Sequence, residues 1–164
     1  MDYQQIQHTF EPIYNEESKI LILGTFPSVK SRANGFYYGH PQNRFWKVIA
    51  SITDSEVPDT IEEKKNLLQR NHIAIWDVIA ECEIIGSSDS SIRNVVPNDI
   101  KHILDNSQIH SIYANGTKAY ELYMRYAFAA TNKEMIQLPS SSPANARYSL
   151  EALCREWKRI IDFD

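Results

Sequence analysis

The sequence predicts an α/β domain built on a short, mostly parallel sheet. Three observations carry that expectation. Four short apolar runs, at residues 20–23, 73–76, 112–114 and 135–138, read as strands. Between them lie segments whose apolar residues recur at helical spacing. Strands alternating with helices form crossover units, which bury a parallel sheet between helices. The 164 residues fit one domain, taken as residues 1–164, large enough to bury a substantial core.

The elements follow in order. "KILILGTFPS" (19–28) is a buried strand running into a turn. Residues 45–52 carry Phe45, Val48, Ile49 and Ile52 on one helical face, which places Phe45 and Trp46 in the core. Residues 59–69 open with Asp59 and Glu62 at the spacing of a capping pair and turn Ile61, Leu67 and Leu68 inward. After the second strand, "PND" (97–99) starts a helix with Ile100, Ile103 and Leu104 inward. Residues 117–128 form a helix after Asn115-Gly116. The last helix starts at Ser149, with Leu150, Leu153, Trp157 and Ile160 as its stripe.

Composition narrows the function classes. The chain is 43% hydrophobic and 23% charged, as in ordinary soluble domains. No apolar run approaches the ~20 residues of a membrane span, and the N-terminal stretch lacks an apolar signal core. A cytoplasmic protein with no membrane partner is expected. Two cysteines, Cys82 and Cys154, and five scattered histidines offer no metal-ligand spacing, so neither a metal site nor a cofactor is expected. No glycine-rich phosphate loop or G-x-S-x-G elbow is present. A net charge of −4 argues against a broad basic surface, but leaves room for local phosphate contacts by amides and hydroxyls.

Ligands of parallel α/β sheets bind beyond the carboxyl ends of the strands. Here those exits are "GTFPS" (24–28), "WDV" (76–78), "ANG" (114–116) and "LPSSSPANA" (138–146), the segments richest in Gly, Pro, Ser and Asn. "YYGHPQNRFW" (37–46) adds rings for stacking on a base and an Asn that can orient water. Tyr37 and Tyr38 fall in a loop, either exposed or buried. The serine loop suits an anion, or is an ordinary capping turn. Asn115 is a helix N-cap or a carboxamide that reads a base edge. Asp77 is an N-cap or a polar site residue, with general base as a natural role.

"GTFPSVKSRANGFYYGHPQNRFWKVI" and "LPSSSPANA" resemble the two signature motifs of the uracil-DNA glycosylase superfamily. The first is similar to a G-I-N-P-G loop followed by a ring-bearing segment and N-[RH]-F-W-K; the second is similar to an M-P-S-S-S loop. Together with "WDVIAECEIIGSSDSSI" and "NGTKAYELY", they most resemble the hypoxanthine-DNA glycosylase branch, over roughly residues 18–160. The resemblance implies a single three-layer domain with helices on both sides of the sheet. It implies a monofunctional, metal-free glycosylase, monomeric, acting on double- or single-stranded DNA that holds a deaminated base. Hypoxanthine is the first expectation and uracil the second; a mismatch-specific uracil or thymine glycosylase and a non-catalytic damage-binding module are the alternatives.

The resemblance also implies residue roles. Where the mismatch-specific enzymes carry a water-positioning Asn, this chain has Phe26, so Asn43 of "HPQN" is the expected catalytic residue. Gly24, Thr25, Phe26, Tyr38 and Asn115 are expected to bind the base, with Tyr38 stacking on it. Ser140, Ser141 and Ser142 are expected to hold phosphates, and Pro143, Ala144 and Asn145 to form the tip that enters the DNA. Arg44 and Arg147 are expected to help hold the backbone.

Overall fold

From the N-terminus the chain forms β1 (Gln4–Gln7), β2 (Ile20–Gly24), α1 (Val29–Asn34), α2 (Phe45–Ile52), α3 (Ile61–Arg70), β3 (Ile73–Asp77) and β4 (Ile79–Ile84). It continues through β5 (Arg93–Pro97), α4 (Ile100–Asp105), β6 (Ser111–Asn115), α5 (Thr117–Tyr126), α6 (Phe128–Thr131), β7 (Met135–Leu138) and α7 (Leu150–Trp157). The structure is a computed structural model and describes residues 2–8, 10–86 and 88–162.

The expected strands pair in parallel in the order β3–β2–β6–β7. Side chains alternate across this sheet and fill two cores. Ile20 and Ile22 of β2 and Ile73 and Ile75 of β3 pack with α2, α3 and α7. Leu21, Leu23, Ala74, Ile112 and Ala114 pack on the other face with α4, α5 and β4. Strands buried on both faces read as continuous apolar runs, which is why their sequence signal was strong. The result is the expected three-layer α/β domain. The chain leaves β2 for β3 on one side and returns to β6 on the other, so the topological switch lies between β2 and β6.

A second sheet, β1–β4–β5, is antiparallel and was not expected. Its strands are polar and half-exposed: β1 is "QQIQ" and β4 is "IAECEI". Strands of that kind carry a weak apolar signal, and β1 finds its partner β4 more than 70 positions away. Asp77 therefore caps no helix. The chain passes from β3 through Val78 directly into β4, and the N–H groups of Val78 and Ile79 donate to the carbonyls of Gly24 and Thr25 at 2.9 and 3.2 Å.

Smaller corrections concern helix ends. The capping box of α3 is Thr60 with Glu63, not Asp59 with Glu62, so the helix starts one residue later and Ile61 lies outside. Helix 117–128 is two: α5 ends at Tyr126, capped by Ala127, and α6 restarts at Phe128. Gly116, at φ +97, caps α5, and Asn115 does not. Ser149 caps α7 as expected, but Leu150 is exposed. α1, capped by Ser28, was missed.

Candidate active site

All four strand exits meet at one cavity of about 390 Å³. Gly24 to Ser28 come from β2, Asp77 from β3, Asn115 from β6, and Ser140 to Pro143 follow β7. Tyr37, Tyr38, His40 and Asn43 form the remaining wall. This is the size and position of an ordinary ligand site in an open α/β sheet.

The β6–β7 side is a closed hydrogen-bond network. Ser141 is fully buried. Its N–H donates to Asn115 Oδ1 at 2.9 Å, its Oγ accepts from Asn115 Nδ2 at 3.0 Å, and its hydroxyl donates to Asn43 Oδ1 at 2.9 Å. Asn43 Oδ1 also accepts the N–H of Phe45, at 2.9 Å, which orients the carboxamide without ambiguity. Both lone pairs of that oxygen are occupied, so Asn43 offers the cavity its Nδ2 donors. Ser141, expected on DNA phosphate, instead ties Asn43 to Asn115. Asn115, expected on the base, directs its oxygen and one amide hydrogen to Ser141.

Arg44 joins the same network, with its Nε buried and unpartnered. Its guanidinium donates to the carbonyls of Ser142 and Asn145 at 2.9 and 3.0 Å and to that of Tyr148. Its own N–H donates to the Ser141 carbonyl at 3.1 Å. Arg44 thus staples the loop after β7 and is not the free surface cation expected for DNA. Asn145 folds back, its Nδ2 donating to the Ser140 carbonyl at 3.1 Å, so the exposed tip is Pro143 and Ala144. Ser140 and Ser142 each accept one backbone N–H, from Ser142 and Ala144, and keep a hydroxyl proton to donate.

The β2–β3 side is different. Gly24 has no room for a side chain: a Cβ there would stand 2.4 Å from Asp77 Oδ1 and 2.8 Å from the Tyr38 hydroxyl. Asp77 is buried and its Oδ2 pairs with His8 Nε2 at 2.8 Å. Tyr38 sits at φ 53, a strained conformation for a non-glycine residue. One face of its ring stacks on Phe45, with centroids 4.0 Å apart, so at most the other face is left for a base. Its hydroxyl is buried without a hydrogen-bond partner. Burial pushes the Tyr38 phenol far up and the charge of Asp77 adds to this; the nearby Asn115 amide pulls the other way without reaching hydrogen-bond geometry. Tyr37 is fully buried, donates to the Glu11 carbonyl at 2.8 Å, and is raised by the same two causes. Phe26 walls the cavity edge-on to His8, with the Arg32 guanidinium over its ring.

His8, Tyr37 and His40 were not among the expected site residues. His8 arrives from the N-terminal segment, 69 positions before Asp77, with no local signal. His40 lies within "YYGHPQN", where no second histidine at ligand spacing marks it. Beside the cavity runs a second hollow lined by Thr117, Lys118, Ser140, Ser142 and Arg147 at the N-terminus of α5. Glu156 also lines it, and the helix N-terminus with two cations there suits a phosphate chain. Among the described residues no group of His, Cys, Asp and Glu could hold a metal.

A cavity at the sheet's switch point, lined by the polar strand exits and lying beside a phosphate-compatible hollow, has the arrangement of an α/β ligand-binding site. The family follows from comparison with known proteins. The model of the uracil DNA glycosylase superfamily matches residues 11–162, and the chain belongs to that superfamily. It is a DNA glycosylase, a hydrolase of N-glycosidic bonds. It is 36% identical to a hypoxanthine DNA glycosylase of Methanosarcina acetivorans over 95% of this chain and 98% of that one. A hypoxanthine DNA glycosylase of Methanosarcina barkeri is 33% identical over 90% of this chain and 93% of that one. A solution NMR structure described as a candidate uracil DNA glycosylase of M. acetivorans superposes with a TM-score of 0.81 at 32% identity, covering 96% and 97% of the two chains.

Proposed function

We propose that the chain releases hypoxanthine from deoxyinosine in DNA, as a monomer acting in the cytoplasm, with uracil as a second substrate. The observation that carries this reading is Asn43, held rigidly at the cavity wall with only its donors free. Both hypoxanthine DNA glycosylases named above support the substrate.

The chemistry needs no strong nucleophile. The C1′–N bond breaks with its electron pair going to the base, and the sugar gains oxocarbenium character. Water then forms the new C1′–O bond and loses its proton. Donors aimed at the departing base stabilise the transition state more than the ground state. Asn43 Nδ2 is such a donor. Its saturated oxygen cannot accept a water proton, so its part is stabilisation of the base rather than activation of water. The target base must leave the duplex, at a cost of a few kcal/mol. The hydroxyls of Ser140 and Ser142, Lys118 and Arg147 would hold the flanking phosphates during that step, and the Pro143–Ala144 tip would face the vacated stack. Only small side chains stand at that tip, so the phosphate grip carries most of the work of holding the opened duplex.

The test is base release from labelled duplexes holding one hypoxanthine, one uracil or neither, read as strand cleavage after alkali. Release from hypoxanthine exceeding that from uracil is expected. Asn43→Ala should lower it roughly 100- to 1,000-fold while duplex binding persists. Release from uracil alone would overturn the substrate, and an active Asn43→Ala would overturn the residue.

A further inference from the structure

Two polar atoms on the cavity floor have no part in the bond cleavage just described. The first is Asp77 Oδ1. It makes no hydrogen bond among the described residues and lies over Gly24, filling the space where a Cβ would be. The second is the Tyr38 hydroxyl, which stands 2.8 Å from the same point and is buried without a partner. An unmatched buried polar group costs about 1–3 kcal/mol, so the Tyr38 hydroxyl points to a ligand that completes it, and Asp77 Oδ1 lies beside it in the same cavity as an acceptor.

The hydrogen-bonding pattern of this pair follows from its neighbours. The N–H of Phe10 donates to His8 Nδ1 at 3.2 Å, so that nitrogen carries a lone pair and Nε2 carries the proton. His8 Nε2–H therefore donates to Asp77 Oδ2 at 2.8 Å, and Oδ1 is left as an acceptor. The His8 side chain is 1% exposed and is held edge-on between Phe10 and Phe26, so this orientation is rigid. Burial keeps the Tyr38 phenol protonated and able to donate.

An adjacent acceptor and donor match the edge of a lactam, in which a ring N–H lies next to a C=O. Deamination creates that edge. Adenine presents a bare ring nitrogen beside an amino group; hypoxanthine presents N1–H beside O6. Cytosine and uracil differ in the same way at N3 and position 4. Enzymes that flip a base read it by hydrogen bonds along this edge.

We propose that Asp77 Oδ1 and the Tyr38 hydroxyl read the lactam edge of the flipped base, accepting its ring N–H and donating to its C=O, with His8 as the positioning residue for Asp77. This rests on the glycosylase reading above. The site then rejects adenine and cytosine, whose ring nitrogen would point a lone pair at the Asp77 oxygen. Guanine and thymine share the lactam edge, so their rejection falls to the walls around the 2-amino and 5-methyl positions. Burial favours the base over the attacking water as the partner of Asp77: Asp77 is 4% exposed, and the sugar that water attacks stays joined to the DNA backbone.

The test compares duplexes holding hypoxanthine with duplexes holding unsubstituted purine, which has a bare N1 and no carbonyl. Affinity and kcat/KM are measured for the natural chain and for Asp77→Asn, with a thermal melt of each. In the variant His8 still takes the amide oxygen, so the NH2 group faces the base and meets N1–H donor to donor. The natural chain should prefer hypoxanthine by about 100-fold or more. In Asp77→Asn that preference should shrink at least tenfold; intrinsic leaving-group differences cancel in the ratio, as in a double-mutant cycle. An unchanged preference in the variant overturns the pair while leaving the glycosylase reading intact. Selective binding without base release, lost in the variant, supports the pair and sinks the glycosylase reading. If the natural chain shows no preference in affinity or turnover, the pair is overturned whether or not the variant folds.

Discussion

On the β6–β7 side of the pocket, Ser141 has its N–H and hydroxyl fully engaged by Asn43 and Asn115, and Arg44 ties down the loop that carries it. On the β2–β3 side, Asp77 Oδ1 and the Tyr38 hydroxyl stand unmatched a few ångströms away, and Tyr38 holds a strained backbone. Both sides use the same kinds of groups. The difference lies in what is left open: the network around Ser141 fixes geometry and leaves the Asn43 Nδ2 donors to the cavity, whereas on the other side an unsaturated pair keeps its hydrogen-bonding capacity for a ligand. Strain and unpaired polar groups concentrate where function needs them.

Removing a member of each side should have opposite consequences for stability. The largest loss is expected from Arg44→Ala, which frees three carbonyls of the loop after β7 at once. It should lower unfolding stability by about 3 kcal/mol and the melting temperature by roughly 10 °C. Arg44→Lys should restore little, because an ammonium cannot span the three acceptors as a planar fork does. A variant that melts like the natural chain would mean the staple contributes nothing to the folded state.

Ser141→Ala comes next. It strands Asn43 Oδ1 and Asn115 Nδ2 with one partner fewer each, and about 2 kcal/mol of stability should go with them. Base release should fall as well, since Asn43 loses one of its two anchors. Urea unfolding and the alkali-cleavage assay check the two halves separately.

The smallest change, and the one that sharpens the contrast most, is Tyr38→Phe. It deletes a buried hydroxyl that has no partner in the unliganded chain. Stability should stay level or rise by up to about 1 kcal/mol, whereas hypoxanthine release should drop roughly tenfold. A clear loss of stability would show that the hydroxyl serves the folded state itself.

Much of this molecule was legible in its sequence. The four central strands run along unbroken apolar stretches because they are buried on both faces, and their ends coincide with the runs almost residue for residue. The rule that ligands lie beyond strand exits then located the cavity, since the exits are the Gly-, Ser- and Asn-rich segments. Phe45 and Trp46 were placed in the core by helical spacing alone. The polar antiparallel sheet escaped because β1 and β4 carry weak periodicity and pair across more than 70 positions.

Residue type and spacing along the chain also marked Asn43, Asn115 and the three serines as polar groups of one site, because local chemistry and strand exits are one-dimensional properties. Which of them is free to act is not. Whether Asn43 shows its oxygen or its nitrogen to the cavity depends on the Phe45 N–H and the Ser141 hydroxyl, the latter 98 positions away. Which Asp77 oxygen is left to the cavity depends on a histidine 69 positions away whose tautomer is set by the Phe10 N–H. Hydrogen-bond capacity is shared between groups that meet only when the chain folds, so which atoms of one polar cluster are left open is a property of the packed molecule.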